Sequence, residues 1–287
     1  MDIEPVEVAP TRTFPWASLR QRWQDLTFLH WAVAPEIVAP LLPAGTRPDT
    51  VDGLSYVGLI GFRMVGLGLG RGPGVPYFGT FWETNVRLYS VDGTGRRAVV
   101  FRSLDASRLV PVLVAQLSLR LPYKWSAMRL DRDGDRLTYH CRRRWPGPRG
   151  AASRMTVRVG DPIAEPTPLD HFLTARWGLH TGAYGRTLHL PNWHPRWPLH
   201  RAELLHLDDE LVTAAGLPPM PGPPVSVLHS PGVPVVFGGP VALRPQPGGP
   251  VPPHPQPGDP VAPRPGPGSP AAPHPQPGSP GADPPAR

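Results

Sequence analysis

Proline is distributed so unevenly along this chain that it divides the sequence into two parts. The chain has 287 residues and 45 prolines, and 18 of these prolines lie in residues 241–287. There they recur in four decapeptides close to the pattern V-x-P-[RH]-P-Q-P-G-x-P. Proline fixes φ and lacks a backbone donor, so such a repeat excludes both helix and sheet. We therefore expect residues 241–287 to form a disordered tail biased toward polyproline II.

The remaining residues, 1–240, are numerous enough to bury a core as one domain. Alternating apolar and polar positions predict strands at 25–33, 54–64, 81–89, 97–104, 122–130, 137–144, 152–159 and 198–207. Short helices are predicted at 16–23, 35–42, 108–119 and 171–177, and a glycine-rich loop at 66–74. The predicted fold class is mainly β (α+β), with a barrel-like core and a few peripheral helices.

The charge of the chain is strongly basic, with a formal net charge of +7 and a pI of about 10.3. The basic residues are scattered, and the one tight cluster is Arg142-Arg143-Arg144 beside Trp145. A solvated strand edge explains that cluster as well as a phosphate site does. We therefore expect no nucleic-acid partner.

Location is predicted from what the sequence lacks. Cys141 is the single cysteine, so no disulfide can form within the chain, which fits a reducing compartment. The acidic start has no apolar stretch typical of a signal peptide, and no run of 18 apolar residues occurs. The sequence thus predicts a cytoplasmic protein with no membrane partner, and homo-oligomer formation stays open.

The strongest local signal is Glu83-x-Asn85-x-Arg87. Residues two apart in a strand share one face, so these three side chains project together. If that face is solvated, it is an ordinary salt-bridged strand. If it points into a barrel, a carboxylate, an amide and a guanidinium line a ligand site, and we expect Glu83 to pair with an arginine.

Lys124 is the only lysine among 29 Lys and Arg residues. An ammonium is the basic group whose pKa moves most readily on burial, as Schiff-base chemistry requires. A compositional bias toward arginine explains a single lysine equally well.

Other catalytic chemistries find little support in the sequence. The histidines at 194, 200 and 206 fit no metal-ligand spacing, so no metal site and no cofactor are predicted. No serine lies in a nucleophile-elbow frame, and Cys141 is expected to be a packed thiol.

Eight short motifs between Trp23 and Pro240 carry a resemblance to a known family. They are Thr27–Trp31, Leu41–Pro43, Asp52–Met64, Glu83–Arg87, Ser103–Arg108, Leu121–Tyr123, Trp197–Leu199 and Ala214–Pro218. In order and content they resemble the YqjF-like family of uncharacterised conserved proteins, within the acetoacetate-decarboxylase-like superfamily. The resemblance implies a cone-shaped β-barrel whose lumen holds a small molecule, and it favours the inward orientation of Glu83, Asn85 and Arg87.

The superfamily's decarboxylases carry a Pro-Lys-Lys motif, in which the first lysine forms the Schiff base and the second lowers its pKa. Pro122-Tyr123-Lys124 is similar in position, with Tyr123 in the place of the imine-forming lysine. Tyrosine cannot form an imine, and in a strand Lys124 points away from the face of Tyr123. Decarboxylation by the family mechanism is therefore not the preferred interpretation.

Three functions are carried forward. The preferred one is a barrel protein that binds an organic acid or keto compound. Arg63 or Arg87 would hold the carboxylate, Asn85 would line the site, and Glu83 and Tyr123 would act on the ligand. The alternatives are a Schiff-base lyase that uses Lys124, and a non-catalytic sensor or scaffold whose tail binds partners.

Overall fold

The computed structural model describes residues 2–10, 17–70, 72–109 and 120–243. The strands are β1 (Leu19–Val33), β2 (Thr46–Pro48), β3 (Ser55–Leu69), β4 (Phe81–Asp92), β5 (Arg97–Ala106), β6 (Tyr123–Asp133), β7 (Arg136–Trp145), β8 (Ala152–Pro162), β9 (Gly178–Ala183), β10 (Arg186–Trp193), β11 (His200–Asp209), β12 (Ser226–Phe237) and β13 (Val241–Ala242). The helices are α1 (Pro35–Val38), continued by a 3₁₀ turn (Ala39–Leu41), α2 (Pro168–Thr174) and α3 (Leu211–Ala214).

The strands close into two rings that share one wall. The larger ring has nine strands, in the order β5-β6-β7-β8-β11-β12-β1-β3-β4, and the β4–β5 pairing closes it. The pairings β5–β9, β9–β10 and β10–β12 close a smaller ring on the other side of the same strands. The smaller ring therefore consists of β1, β3, β4, β5, β9, β10 and β12. The shared strands are β1, β3, β4, β5 and β12.

Each face of the shared wall is buried in a different core. One face of β1 carries Leu29 and Trp31, which pack with Met155 and Val157 of β8 inside the larger ring. The other face carries Phe28, which packs with Trp197 and belongs to the core of the smaller ring. Burial on both sides explains why β4 reads as an almost unbroken buried strand.

The shared wall needs a glycine where β1 and β12 pass very close to each other. Gly232 lies opposite Gln24 with a φ of 119°, a conformation that residues with a side chain rarely adopt. A Cβ at Gly232 would also collide with the carbonyl oxygen of Trp23. Only glycine lets the two strands approach this closely.

The predicted fold class is confirmed as a mainly β barrel with a few short helices. Two local predictions are wrong. Residues 19–23, expected to be helical, begin β1, and β3 continues through Leu69 into the expected glycine-rich loop. The strands β10 and β12 were not predicted, because Pro191, Pro231 and Pro234 interrupt their patterns, and the short strand β9 was not predicted either.

The structure describes only part of the predicted tail and of the predicted helix 108–119. The sheet extends into the predicted tail, because β13 pairs with Leu188 and His189 of β10 and the Leu243 amide donates to the Thr187 carbonyl. The rest of the tail, residues 244–287, lies outside the described residues, as does most of the predicted helix 108–119. Among the described residues, no helix has the length and apolarity that a membrane span requires.

Candidate functional site

Glu83, Asn85, Arg87 and Tyr89 form a continuous row along one face of β4. Their exposed fractions are 3%, 4%, 8% and 0%. The row lies on the face of the smaller ring, since Glu83 pairs with Phe62 of the neighbouring strand, a member of that ring's core. The structure therefore has the buried arrangement of these polar side chains, and not the solvated one.

Glu83 is bound by neutral donors and not by the predicted arginine. The Tyr123 hydroxyl donates to Glu83 Oε2 at 3.0 Å, and the Asn85 side chain also hydrogen-bonds the carboxyl. No arginine among the described residues contributes to its environment, so the expected Glu83–arginine pair is wrong. Burial raises the pKa of Glu83 to about 8, against the smaller lowering effect of Tyr123 and Asn85. At neutral pH the carboxyl is mainly protonated.

Arg87 is a buried cation that makes only neutral contacts. Its Nε donates to the Tyr89 hydroxyl at 3.0 Å and its Nη2 to the Leu173 carbonyl at 2.9 Å. The guanidinium lies over the Phe28 ring, 5.4 Å from its centroid. No carboxylate among the described residues forms an ion pair with it. A buried charge without a counter-charge is unfavourable unless another group supplies one.

Two local features place Arg87. The helix α2 starts with a capping box in which Thr167 and Asp170 bond reciprocally, and it ends by presenting the Leu173 carbonyl to Arg87. On the neighbouring strand, Gly58 lies between Arg87 and His30 in the ladder. A Cβ at Gly58 would come within 3.1 Å of Arg87 Cγ and 3.2 Å of His30 Cδ2. Glycine thus leaves room for both side chains.

The structure adds residues that sequence reasoning missed. His30 Nε2 lies 2.7 Å from the Tyr89 hydroxyl, and burial, with the nearby Arg87 and Arg176 charges, lowers the His30 pKa well below its ordinary value. Arg176 packs over the Tyr89 ring at 4.8 Å and pairs with Asp49. No spacing signal could find these partners, because they come from segments far apart in the chain.

In this region one cation has no carboxylate partner and several polar atoms have no hydrogen-bond partner among the described residues. Asp49 is the one carboxylate shared by Arg97 and Arg176, while Arg87 has none among the described residues. Three buried polar atoms also lack a hydrogen-bond partner in the described part of the chain, namely Asn85 Oδ1, His30 Nδ1 and Arg176 Nη2. Buried polar groups are normally paired, so these three atoms are available to a polar partner.

Two predicted site residues, Arg63 on β3 and Lys124 on β6, point away from the row. Arg63 is exposed and lies opposite Trp82 on the neighbouring strand. The Phe62–Glu83 pair comes next along these strands and faces the other side of the sheet. In the pairing of β5 with β6, Lys124 lies opposite Asp105 and Tyr123 lies opposite Leu104. The option that Arg63 joins Glu83 in one site is therefore wrong, whereas Lys124 points away from Tyr123 as predicted, because side chains alternate along a strand.

Lys124 is half-buried, and its pKa is lowered, first by desolvation and then by the Arg143 charge. It stands near a buried ion pair of the larger ring, in which Arg143 Nε and Nη2 donate to the two Asp105 oxygens at 2.8 and 2.7 Å. The Ser126 hydroxyl also donates to Asp105, at 2.7 Å. The lysine thus has a modified environment, but Glu83 and Tyr123 are not part of it.

A serine, a histidine and an aspartate also meet at the far end of β4. Ser90 Oγ lies 2.9 Å from His180 Nδ1, and His180 Nε2 lies 3.6 Å from Asp92. All three side chains are buried, and the Ser90 hydroxyl also donates to the Ala98 carbonyl. Within the described ranges, no group of three or more His, Cys, Asp or Glu residues could hold a metal ion.

Comparison with solved structures shows the same fold in acetoacetate-decarboxylase-like enzymes. An enzyme of this kind from Sphingomonas wittichii RW1 matches with a TM-score of 0.55 and 14% identity, over 79% of this chain and 93% of that one. The enduracididine biosynthesis enzyme MppR complexed with pyruvate matches with a TM-score of 0.54 and 14% identity, over 81% and 91%. An acetoacetate decarboxylase matches with a TM-score of 0.54 and 12% identity, over 82% and 91%.

Comparison of sequences places the chain in a family. It is 32% identical to the uncharacterised protein YqjF of Bacillus subtilis (strain 168) over 187 residues, which is 64% of this chain and 76% of YqjF. The profile of DUF2071, described as an uncharacterised conserved protein, matches residues 20–234. The resemblance predicted from the short motifs is thereby confirmed, and the chain belongs to the DUF2071 family of YqjF-like proteins.

Proposed function

We propose that this protein binds a small organic acid or keto acid inside the smaller ring, with Arg87 pairing with the ligand's carboxylate. The observation that carries the proposal is the buried Arg87 guanidinium, which has only neutral partners among the described residues. A carboxylate would supply the missing counter-charge, and the planar guanidinium can bind it through two parallel hydrogen bonds. The complex of MppR with pyruvate shows a similar fold holding a ligand of this class.

The other groups of the row would orient the rest of the ligand. Protonated Glu83 can donate a hydrogen bond to a carbonyl or hydroxyl oxygen, and Tyr123 holds its carboxyl in place. Asn85 Oδ1 and His30 Nδ1 offer unpaired positions on the same face. Above a pH of about 8, Glu83 becomes a carboxylate and would serve as a base.

The proposal is tested by native mass spectrometry of freshly purified protein, followed by calorimetric titration with pyruvate and acetoacetate. We expect a bound small acid or saturable binding, and a loss of at least about tenfold in affinity for Arg87→Met. The matched control is Arg102→Met, because Arg102 is also partly buried and bonds the carbonyls of Leu41 and Ala215, and it should bind normally.

Arg87→Lys keeps the positive charge but lacks the planar guanidinium, and it replaces Arg87→Met in this test if Arg87→Met fails to fold. We expect binding intermediate between the wild type and Arg87→Met. Absence of any bound or added carboxylate in the wild type, or equal affinity in Arg87→Met, would show that the proposal is wrong.

The lowered pKa of Lys124 supports a second candidate, a Schiff-base lyase. Its amine would add to a keto group with loss of water, and borohydride would reduce the imine to a stable secondary amine. We expect no stoichiometric adduct with pyruvate or acetoacetate, because Glu83 and Tyr123 lie on the other face of the wall. Intact mass and peptide mapping check this result, with Lys124→Arg as the control. A full adduct in the wild type that disappears in Lys124→Arg would favour the lyase.

A further inference from the structure

A groove at the rim of the larger ring has an unusual charge. It has a volume of about 480 Å³ and lies where the ends of β4, β5 and β6 meet β3 and β7. Its charged lining residues are Arg63, Arg108 and Arg144, and no carboxylate of the described residues lines it. The groove lies across the shared wall from the Glu83–Arg87 row, so it is separate from the site proposed above.

The three arginines are held by aromatic rings and not by acids. Arg63 lies 5.5 Å from the ring centroid of Trp82, Arg108 lies 4.1 Å from that of Tyr77, and Arg144 lies 4.9 Å from that of Trp125. Stacking orients a guanidinium without using its N–H groups as hydrogen-bond donors. Their donors therefore stay available, and Arg108 Nε is buried without a hydrogen-bond partner in the described part of the chain.

Two exposed arginines outside the groove have acidic partners instead. Arg129 pairs with Asp131 and Arg158 pairs with Glu203. Ser126, which lines the groove, bonds Asp105, and that carboxylate already pairs with Arg143. The groove thus concentrates three uncompensated positive charges around a polar floor.

We propose that this groove is a binding site for a small phosphorylated compound, whose phosphate oxygens accept from Arg63, Arg108 and Arg144. Several oxygens on one compact anion match several guanidinium forks, and a pocket of this size suits a metabolite. Trp82 and Met128, which also line the groove, give an apolar surface for the rest of such a ligand.

The test is calorimetric titration with pyrophosphate at low and physiological salt. Wild-type protein should bind with a dissociation constant of about 1 mM or tighter. The double variant Arg63→Gln/Arg144→Gln should bind at least about tenfold more weakly. Both residues are exposed, so the variant should fold, which the melting temperature checks.

The matched control is Arg129→Gln/Arg158→Gln, which removes the same charge from exposed arginines that have acidic partners. It should bind pyrophosphate like the wild type, and so should Arg87→Met, because Arg87 lies in the other ring. The proposal is wrong if the wild type does not bind, or if the control loses as much affinity as the groove variant.

A single-stranded oligonucleotide provides the last arm of the experiment. We expect it to bind no more tightly than pyrophosphate. If it binds at least tenfold more tightly and the groove variant loses that binding, the arginines form part of a nucleic-acid surface, and the assignment to a small compound is overturned.

Discussion

Glu83 shows how burial alone changes the chemistry of a residue. In water a glutamic acid is ionised at pH 7, but within the smaller ring its pKa is raised to about 8. The nearest groups, Tyr123 and Asn85, are neutral and cannot offset the cost of burying a charge. Arg87 lies four residues further along β4, on the same face.

This raised pKa predicts a pH dependence of stability. Between pH 4.5 and about 8 the unfolded chain has released the Glu83 proton while the folded chain still holds it. The folded state binds more protons in that window, so its stability falls as the pH rises and stays reduced above a pH of about 8. Glu83→Gln mimics the protonated acid, so it should match the wild type near pH 5 and exceed its stability near pH 9.

Urea unfolding at both pH values measures this difference. Glu203→Gln, at an exposed position, is the control and should not change the pH profile. Equal stability of Glu83→Gln and the wild type at pH 9 would mean that Glu83 ionises normally.

At the scale of elements, β4 and β5 each contribute side chains to the cores of both rings. Glu83 and Ala106 face the smaller ring, whereas Thr84 and Asp105 face the larger one. A change of one residue in register would exchange these two sets, and would place both the Glu83–Arg87 row and the Asp105–Arg143 pair in the wrong core.

The Asp105–Arg143 pair should therefore be important for stability. Asp105→Ala leaves the Arg143 charge buried and should cost about 3–5 kcal/mol, whereas Glu203→Ala removes an exposed pair and should cost about 0–1 kcal/mol. Equilibrium urea unfolding compares the two variants. The double variant Asp105→Leu/Arg143→Met should recover most of the loss, because no unpaired charge remains. A loss below about 1 kcal/mol for Asp105→Ala would indicate that water reaches the pair.

At the scale of the whole molecule, the two rings end where the proline repeat begins. β13 adds Val241 and Ala242 to the edge of β10, and the chain pairs through Leu243. The repeat itself contains few residues that could fill a core.

We predict that a chain ending at Leu243 melts within about 4 °C of the full-length protein, since few of the removed residues are of a kind that fills a core. A chain ending at Pro240 also loses the β10–β13 pairing and should melt at a lower temperature than the chain ending at Leu243. Differential scanning calorimetry compares the three chains. A fall of more than about 4 °C, or roughly 1–2 kcal/mol, for the chain ending at Leu243 would show that the repeat packs on the barrel.

The local alternation of side chains in the sequence was sufficient to predict which residues share a face. Period-two alternation predicted that Glu83, Asn85 and Arg87 share one face, and it predicted that Tyr123 and Lys124 point apart, because these relations depend only on backbone geometry. The resemblance of the short motifs to a known family predicted that the strands form a cone-shaped barrel. Prolines within β10 and β12 hid those strands, since such residues belong in strands only where an edge or a bulge accommodates them.

Only the tertiary structure decided which residues meet across the chain. The partners of the row, namely His30, Tyr123, Leu173 and Arg176, come from four separate segments that the closure of the smaller ring brings together. The absence of an arginine beside Glu83 and the grouping of Arg63, Arg108 and Arg144 depend on the same closure. Sequence spacing determines the face on which a side chain lies, whereas long-range strand pairing determines what lies opposite it and hence its charge state.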